Sequence, residues 1–580
     1  MFGARHPKST VAPPQARDAN NNLTSAQLAT GATTTWGYTS GTHPYAATSR
    51  TDPQGNTVAY TYNTAGNPTT VTNGLATQNT AQYTYNTNGT IATATDPRGN
   101  TTTYGYDPYG NLTSVAAPAP LGGTTLHYDG LSRLDYSIDG KGQQTGYQYD
   151  ALDRPTRIAY QSGDNTTLAY DAAGNATRLD DNGGQPRQTT FGYDRLNRQT
   201  SKTFALPADG TLTYTYDGVG NLTGATDGGG TVTYAYDQVN LLQTLTEPGG
   251  FQTTFTHDDQ YRRTSTAYPN GVTQTQAYDN AGRLTSIVGK KGATTLTSFT
   301  YTYTGAGSAD TALRQKVTDQ AGNTTTYAYD VLNRLTGAQT TGPNPATYTY
   351  AYDGASNRTG QTVNGTATTY SYNAADGLTT AGGTTYTHDA DGNLTGNGAG
   401  LALAYNTANQ TTSVTPAGGA ALTLAYTQGT QVQRVSAGGA SFQNSLLTLT
   451  RQIDPAGTTY YTRGNQGELL GQRAPTGRYY YLYDGLGSTA ALTDSAGNVA
   501  NTYRYDPWGK QIASTGTVAN PYRFGGSYGA YTDTSTGLVK IGQRYYDPGL
   551  GRWMQRDPLS AGTPTPTPTA TRSTPSIRAG

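Results

Sequence analysis

Apolar and polar residues alternate over short stretches along almost the whole chain. In the stretch TTTYGYD, residues 101–107, Tyr104 and Tyr106 alternate with Thr103 and Gly105. A period of two places both tyrosines on the same face of a β-strand. The pattern therefore predicts strands rather than helices, with a ladder of tyrosines on one face of the sheet and Thr, Asn and Gln on the other.

A turn signal follows the tyrosine-bearing strand. The Asp107 side chain is able to accept a hydrogen bond from a backbone amide two residues on, and Pro108 presets φ for the first central position of a type I turn. Gly110 is suited to the left-handed conformation that closes a bulged hairpin loop. Asn111 then precedes the return strand, which begins at Leu112. We therefore predict a positive φ at Gly110.

A second turn with similar residues lies at the other end of each strand pair. It reads DPRGN at 96–100, DPQGN at 52–56 and DQAGN at 319–323. One repeat is therefore predicted to be two antiparallel strands with a turn at each end.

The Tyr-Asp unit recurs at intervals of 20 to 23 residues over the first half of the chain. The Asp or Asn that follows the aromatic residue stands at Asn63, Asn86, Asp107, Asp129, Asp150, Asp171, Asp194, Asp217, Asp237, Asp258 and Asp279, and less regularly at Asp330, Asp353, Asn373, Asp389, Asn406, Asp484, Asp506 and Asp547. Roughly twenty repeats give on the order of forty strands, whereas a twisted open sheet rarely exceeds about ten. The strip must therefore wind up. We predict an all-β fold, a long antiparallel meander wound into a spiral shell.

Certain residues of the turns and the ladder are expected to support the fold rather than perform chemistry. They are Tyr104, Tyr106, Asp107, Gly110, Asn111, Tyr216, Asp217, Gly220, Tyr329, Asp330, Tyr545, Tyr546 and Asp547.

Composition narrows the range of functions. Charged residues make up 13% of the 580 residues and the net charge is +0, which argues against nucleic-acid binding through phosphate neutralisation. There are 48 tyrosines against 8 phenylalanines, as expected for sheets that pack on one face and contact water on the other. Cys 0 excludes disulfides and thiolate zinc sites. The chain contains no apolar run long enough to span a bilayer.

The remaining titratable residues are better explained by structure than by a metal site. His127, His257 and His388 occupy or adjoin tyrosine positions of their repeats, so they are interpreted as aromatic substitutes. The turn carboxylates come about one per turn, whereas calcium loops concentrate several within about a dozen residues. Arginines in the segments 260–263 and 544–556 are expected to stack on tyrosines and to hold the C-terminal plug together rather than to bind a ligand. No metal and no cofactor are expected.

The repeat Y-x-Y-D-x-x-G-N-L-T from about residue 50 to 410 resembles the YD repeats of the Rhs proteins, of toxin-complex C components and of teneurins. The C-terminal runs YLYDGLGSTAALTDSAGNVANTYRYDPWG and RYYDPGLGRWMQRDP resemble the Rhs repeat-associated core domain. The resemblance implies a β-shell that encloses a C-terminal toxin, with the core domain closing one end. It divides the chain into an irregular segment at 1–30, a shell at 31–450, a core domain at 451–560 and a disordered Thr/Pro-rich tail at 561–580.

The resemblance also implies an aspartyl self-cleavage site at the end of the core domain. Arg556 and Asp557 match the first part of that motif, but the sequence departs from the motif after Leu559 and contains no later carboxylate. An aspartyl pair needs two carboxylates that share a proton. We therefore expect Arg556 and Asp557 to be an inactive remnant and the chain not to be an enzyme, unless a distant group such as Asp547 completes the pair.

Two functions follow from these observations. The first is the encapsulating shell of a bacterial polymorphic-toxin system used in competition, here without a recognisable toxin domain, with a toxin cargo or a companion shell subunit as partner. The alternative is a cell-surface adhesion protein whose tyrosines bind carbohydrate. Either function implies a secreted or surface location after synthesis in the cytoplasm, although the chain carries no export signal. Neither involves nucleic acid or a membrane span.

Overall fold

The fold is almost entirely antiparallel β-structure. The computed structural model describes residues 14–182, 187–204, 210–305, 310–427 and 433–557. They form a 48-stranded sheet and a separate 4-stranded sheet, with one short 3₁₀ helix at Gly526–Tyr528 and no α-helix among the described residues.

The strands of the large sheet fall into two groups. The first group is β1 Gln15–Arg17, β2 Leu23–Gln27, β3 Thr33–Gly37, β4 Ser49–Thr51, β5 Thr57–Tyr62, β6 Pro68–Thr72, β7 Thr80–Tyr85, β8 Ile91–Thr95, β9 Thr101–Tyr106, β10 Leu112–Ala116, β11 Thr124–Tyr128, β12 Leu134–Ile138, β13 Gln144–Tyr149, β14 Pro155–Tyr160, β15 Asn165–Tyr170, β16 Ala176–Asp181, β17 Arg187–Tyr193, β18 Gln199–Phe204, β19 Thr211–Tyr216, β20 Leu222–Asp227, β21 Gly230–Tyr236, β22 Leu242–Glu247, β23 Phe251–His257, β24 Arg263–Ala267, β25 Val272–Tyr278, β26 Leu284–Lys291 and β27 Thr294–Thr302. The second group is β28 Lys316–Asp319, β29 Thr324–Tyr329, β30 Leu335–Thr341, β31 Ala346–Tyr352, β32 Arg358–Val363, β33 Thr366–Tyr372, β34 Leu378–Ala381, β35 Thr384–His388, β36 Leu394–Asn397, β37 Ala402–Tyr405, β38 Thr411–Thr415, β39 Leu422–Tyr426, β40 Arg434–Ala437, β41 Ala440–Ser445, β42 Thr448–Asp454, β43 Gly457–Arg463, β44 Leu469–Ala474, β45 Gly477–Tyr483, β46 Thr489–Thr493, β47 Val499–Tyr505 and β48 Gln511–Thr515. We call the first group, β1–β27, the first winding and the second group, β28–β48, the second winding. The small sheet contains β49 Tyr531–Thr532, β50 Val539–Ile541, β51 Arg544–Asp547 and β52 Arg552–Trp553.

Each strand pairs with the next one along the chain. In the repeat that contains β15 and β16, Leu168 lies opposite Leu179 and Ala169 opposite Arg178, and the register shifts at Tyr170. The same shift recurs at Tyr216 between β19 and β20. A bulge at the tyrosine is what a hairpin closed by a left-handed residue produces. The predicted meander is confirmed.

The left-handed position of the turn tolerates more residue types than the sequence suggests. Gly110, Gly174 and Gly220 have φ of 87°, 90° and 100°. The same position is held by non-glycine residues in other repeats, all with positive φ: Ser132, Asp153, Asn197, Asn240, Tyr261, Asn333, Ser356, Asp376 and Asn409. Glycine is therefore favoured but not required.

Gly110 offers a test of this turn geometry. A Cβ added at Gly110 meets no atom within 4 Å, so only the backbone conformation penalises a side chain there. Gly110→Val is expected to destabilise its hairpin by about 1–2 kcal/mol, because a β-branched residue is strained in the left-handed region. Gly110→Asn should cost much less. Thermal unfolding of both variants checks the difference, and equal losses would show that φ does not decide the cost.

The strip winds around so that the second winding lies against the first. The side-chain amide of Asn333 donates to Asp52 at 3.0 Å across 281 positions, and Arg98 contacts Asp376 at 2.8 Å across 278. Further along, the separation falls to 229 where Tyr234 donates to the Arg463 carbonyl, and to 184 where the Gly485 amide donates to the Tyr301 hydroxyl. The sequence separation between residues that face each other across the two windings therefore decreases towards the C-terminus. The strip is therefore a spiral whose windings shorten towards the C-terminus.

The first contacts between windings join two edges of the strip. Turns that follow the tyrosines form one edge, which we call the Tyr-Asp edge, and turns such as 52–56, 96–100 and 139–143 form the opposite edge. At the seam between windings, the opposite edge of the first winding meets the Tyr-Asp edge of the second. The Gly122 amide donates to the Ala390 carbonyl at 2.9 Å, and the Gly140 amide donates to the Asp391 carboxylate at 2.7 Å.

Later strands pack face to face instead of edge to edge. Leu245, Phe255 and Val272 of the first winding form one buried cluster with Leu470 and Leu482 of the second. Leu245 and Leu482 are completely buried, and burial of such a side chain contributes about 1.5–3 kcal/mol. The second winding therefore packs inside this part of the first winding.

Two features of the fold differ from the sequence-based expectations. Strands β1 and β2 lie within the segment 1–30 that was expected to be irregular, because Asp18 caps the turn between them like the later turn aspartates. The expected boundary at 450/451 falls inside β42, where strand pairing continues unbroken. Within the described residues no pairing joins β48 back to β1, so hydrogen bonds do not close the sheet. The tail at 561–580 lies outside the described residues.

Candidate functional site: the turns and the cavity wall

The turn aspartate holds its loop through both carboxylate oxygens. Asp171 Oδ1 accepts hydrogen bonds from the amides of Ala173 and Asn175 at 2.9 and 2.8 Å, and Oδ2 accepts from the Asn175 side chain at 2.9 Å. The side-chain bond from Asn175, followed by its backbone bond, holds the pKa of Asp171 below its ordinary value. Asp107 and Asp217 are bonded in the same way, the latter to Asn221. These carboxylates are committed to the backbone.

In most repeats the tyrosine that begins the turn ties its repeat to the previous one. The Tyr216 hydroxyl donates to the Gln199 carbonyl at 2.8 Å, and the Tyr329 hydroxyl donates to the Arg314 carbonyl at 2.7 Å. The acceptor lies at or near the start of the preceding return strand. The same bond is made by Tyr62, Tyr85, Tyr128, Tyr149, Tyr170, Tyr193, Tyr236, Tyr278, Tyr303, Tyr352, Tyr372, Tyr405, Tyr483 and Tyr505. Tyrosine thus supplies both a packed ring and a specific donor, which phenylalanine cannot do.

An arginine four residues after the aspartate reinforces the connection to the following repeat. Arg154 donates from Nε to Asp150 at 2.7 Å and from Nη1 to the Asp171 carbonyl at 3.2 Å. Its guanidinium also lies 4.6 Å from the centre of the Tyr170 ring. The same stacking joins Arg133 to Tyr149, Arg198 to Tyr216, Arg262 to Tyr278, Arg283 to Tyr303 and Arg334 to Tyr352. The stacking predicted for the arginines of 260–263 is found at Arg262, and the D-x-x-x-R spacing visible in the sequence extends it to repeats for which it was not predicted.

The carbohydrate hypothesis rests on exposed tyrosine rings that stack on sugars. The tyrosines of the turns donate to carbonyls, and several rings are covered by arginine on one face. Carbohydrate binding stays a prediction.

A cavity of about 1840 Å³ lies inside the wound strip. The first winding lines it with residues such as Tyr83 and Tyr104, the second with Tyr348 and Tyr503. Residues 554–557, the last four that the structure describes, also lie on its wall. The cavity therefore meets the chain where the described part ends.

The C-terminal aspartates lie in different settings. Asp557 pairs with Arg544 at 3.0 Å, and the Arg544 guanidinium lies 4.2 Å from the Trp553 ring. Asp547 accepts the amides of Gly549 at 2.7 Å and Leu550 at 3.1 Å. Burial raises the pKa of Asp547, opposed by these amides. Since Arg544 and Asp547 are three residues apart on β51, their side chains leave opposite faces of the strand. The geometry directs the two carboxylates to different partners.

A buried ion pair fixes the small sheet to the shell. Arg434 Nη1 on β40 contacts both carboxylate oxygens of Asp533, at 2.9 and 2.7 Å, and donates to the Tyr545 hydroxyl at 2.8 Å. The Arg434 guanidinium lies between the rings of Phe442 and Tyr531, at 4.6 and 4.4 Å. Tyr546, also buried, donates its hydroxyl to the Trp508 carbonyl at 2.8 Å. Tyr545 and Tyr546 therefore anchor the C-terminal sheet.

Comparisons with known proteins agree with this architecture. The teneurin YD-shell family model matches residues 186–305 and 272–572, more than half of the chain, and the RHS repeat model matches 47–78, 85–120 and 149–186. The crystal structure of TcdB2-TccC3 has a TM-score of 0.72 at 17% identity, covering 94% of this chain and 33% of that chain. The Photorhabdus luminescens Tc holotoxin pore gives 0.70 at 18% identity, with coverage of 94% and 32%.

Curated relatives match over shorter stretches. The tRNA3(Ser)-specific nuclease WapA of Bacillus spizizenii is 28% identical over 199 residues, which cover 32% of this chain and 8% of that protein. Double-stranded DNA deaminase toxin A of Burkholderia cenocepacia is 37% identical over 86 residues, 14% of this chain and 6% of that protein. The chain thus spans a small part of the length of these relatives. The chain belongs to the Rhs/YD-repeat family, and its wound sheet is a YD shell.

None of the described residues forms a helix with the length and apolar character that a membrane crossing requires.

Proposed function

We propose that this chain forms part of the wall of a bacterial toxin shell of the Rhs type, exported for competition between bacteria, with a polypeptide cargo inside. The observation that carries the proposal is the cavity on whose wall Arg556 and Asp557 lie. The described part of the chain therefore ends at the wall of the cavity. Similarity to proteins named as toxins, and the shell fold shared with TcdB2-TccC3, support the same function.

The cavity is larger than a typical small-molecule pocket and is enclosed by strands of both windings. Its volume of about 1840 Å³ exceeds the ~300–1,000 Å³ of typical small-molecule pockets. Its wall consists of strands held to one another by the tyrosine and arginine contacts described above. A wall of this kind confines its contents without any single recognition residue.

Labelling of an introduced cysteine tests confinement, because the chain has no cysteine of its own. Ser560→Cys should react slowly with a maleimide carrying a long polyethylene glycol chain. Tyr45→Cys is the control, since Tyr45 is 72% exposed. In urea both variants should react equally. Equal rates in the native protein would contradict confinement of the chain after Asp557.

We also propose that the chain does not cleave itself. Asp557 is paired with Arg544 and Asp547 caps the turn at 547–550, so the two carboxylates are not arranged to share a proton. The purified chain should remain a single species of 61.0 kDa, and Asp557→Asn should leave its fragmentation pattern unchanged. Intact-protein mass spectrometry over time checks this. A C-terminal fragment that accumulates in the native chain but not in the Asn variant would overturn the proposal.

A further inference from the structure

The Tyr-Asp edge of the first winding, which we call the free edge, carries a row of exposed apolar side chains. In seven successive Tyr-Asp turns, the second residue after the aspartate is apolar, and six of these residues are large. The row consists of Tyr109, Leu131, Leu152, Ala173, Leu196, Val219 and Val239, and the six large residues are between 55% and 87% exposed. Neighbouring turns are two strands apart, about 10 Å, so the row extends for roughly 60 Å. Single scattered apolar residues are normal on a surface, but exposed apolar residues repeated at one position of seven successive turns are not scattered, and concentrations of exposed apolar side chains mark interaction sites.

The same turn position is covered by the chain itself in the second winding. Leu332, Leu486 and Trp508 are half-buried there. Trp508 lies 5.1 Å from the Arg358 guanidinium, and Val331, beside Leu332, packs 3.6 Å from the Cβ position of Gly74. In these three turns the apolar residue is therefore covered by another part of the same chain. Among the described residues, nothing covers the row of the first winding to that extent.

The order of residues in the row is self-complementary. Ala173, the smallest member, stands at its centre, with three large residues on each side. A two-fold axis through the Ala173 turn would place Leu152 opposite Leu196 of a second copy, Leu131 opposite Val219 and Tyr109 opposite Val239. A small residue at the axis lets the flanking side chains meet.

Charge follows the same symmetry. The turn aspartates are half-buried and bonded within their loops, so the exposed loop tips of the seven turns contain only two charged residues, Asp153 and Arg195. They stand in the turns immediately before and after the Ala173 turn. The same two-fold axis would place Asp153 of one copy opposite Arg195 of the other. The Asp153 side chain is 68% exposed, although it also contacts Arg133 of its own chain at 2.8 Å.

We infer that this row is a docking surface for a second copy of the chain. Two shells meet edge to edge in a two-fold dimer centred on Ala173, with six large apolar residues from each copy at the contact and two reciprocal Asp153–Arg195 pairs beside the axis. The contact is isologous, the commonest arrangement in homodimers. It is separate from the cavity and from any cargo.

Sedimentation velocity of the full chain over a range of micromolar concentrations tests the inference. The native chain should sediment as a dimer of twice 61.0 kDa at the upper concentrations. Leu152→Asp/Leu196→Asp should weaken the dimer by roughly 100-fold or more, because it buries four uncompensated carboxylates at the centre of the contact. Tyr45→Asp, which alters an exposed residue outside the row, should leave the dimer intact. Circular dichroism of each variant checks that its fold is preserved.

A charge exchange makes the test specific for the two-fold geometry. Arg195→Asp should weaken the dimer by placing two acidic residues opposite each other, and adding Asp153→Arg should restore it. Failure of the second change to restore association would overturn the two-fold pairing. A native chain that stays monomeric, or a dimer that the Leu152→Asp/Leu196→Asp variant retains, would overturn the docking surface. A monomer that instead binds phosphatidylcholine vesicles through the row would assign the surface to lipid and also overturn the inference.

Discussion

Asp533→Ala is expected to destabilise the C-terminal part of the shell by about 3–5 kcal/mol, because removal of one partner leaves a buried charge uncompensated. Arg434 and Asp533 are among the most buried charged residues of the protein, with side chains only 4% and 5% exposed. The guanidinium of Arg434 would remain enclosed by Phe442 and Tyr531 without its carboxylate. The small sheet would then detach from β40 more readily than the rest of the strip unfolds.

Hydrogen exchange in β40, β49 and β51 measures this local opening directly, since a repeat strip is not expected to unfold in a single step. The matched control is Arg434→Met/Asp533→Leu, which removes both charges and retains apolar volume. The double variant should lose much less stability than Asp533→Ala, because no charge is left buried. If the two variants exchange alike, the ion pair does not hold the sheet.

Gly140→Val should open the seam between the two windings. A Cβ at Gly140 would lie 2.4 Å from the Ala390 carbonyl oxygen and 2.9 Å from Asp391 Oδ1, distances that require the backbone of one winding to move. Overpacking of this kind costs about 1–3 kcal/mol. Lys141, which lies 3.3 Å from Asp391, and the bond from the Gly122 amide to Ala390 would be displaced as well.

Gly130→Val provides the control for the seam. Gly130 belongs to a neighbouring turn on the free edge, where an added Cβ meets nothing within 4 Å. Hydrogen exchange at the Gly122 and Gly140 amides should accelerate in Gly140→Val and stay unchanged in Gly130→Val. Unchanged exchange at both amides in Gly140→Val would show that the windings are not in contact there.

The local structure of the shell could be predicted from the sequence because it depends on neighbouring residues. The alternation around Tyr104 and Tyr106 predicts the strand β9, and Asp107 with Gly110 predicts its turn. The start of the meander could not be predicted in this way. The turn between β1 and β2 has Asn21 in the left-handed position, with φ of 66°, and no tyrosine precedes Asp18.

The contacts between the two windings could not be predicted from the sequence for a different reason. The partner of Arg98 lies 278 residues away, and nothing in a single repeat specifies which turn will face it. The same applies to Arg434 on β40 and Asp533 in the loop after β49, which are 99 residues apart. The arginine that stacks on the next tyrosine, such as Arg154 on Tyr170, is a local contact, and the recurring D-x-x-x-R spacing carries the information for it. Which turns of the two windings face each other depends instead on the curvature of the whole strip.

An engineered disulfide across the seam tests the wound shell most directly. The Cβ position of Gly74 lies 3.6 Å from Cβ of Val331, within the ~3.5–4.5 Å that a disulfide requires. Because the chain has no native cysteine, Gly74→Cys/Val331→Cys introduces a single pair. Mild oxidation should close it almost completely, seen as a shifted band in non-reducing electrophoresis, whereas Gly110→Cys/Val331→Cys, with Gly110 on the other edge of the first winding, should stay reduced. Failure of the first disulfide to form, or equal formation of both disulfides, would contradict a strip whose second winding lies against its first.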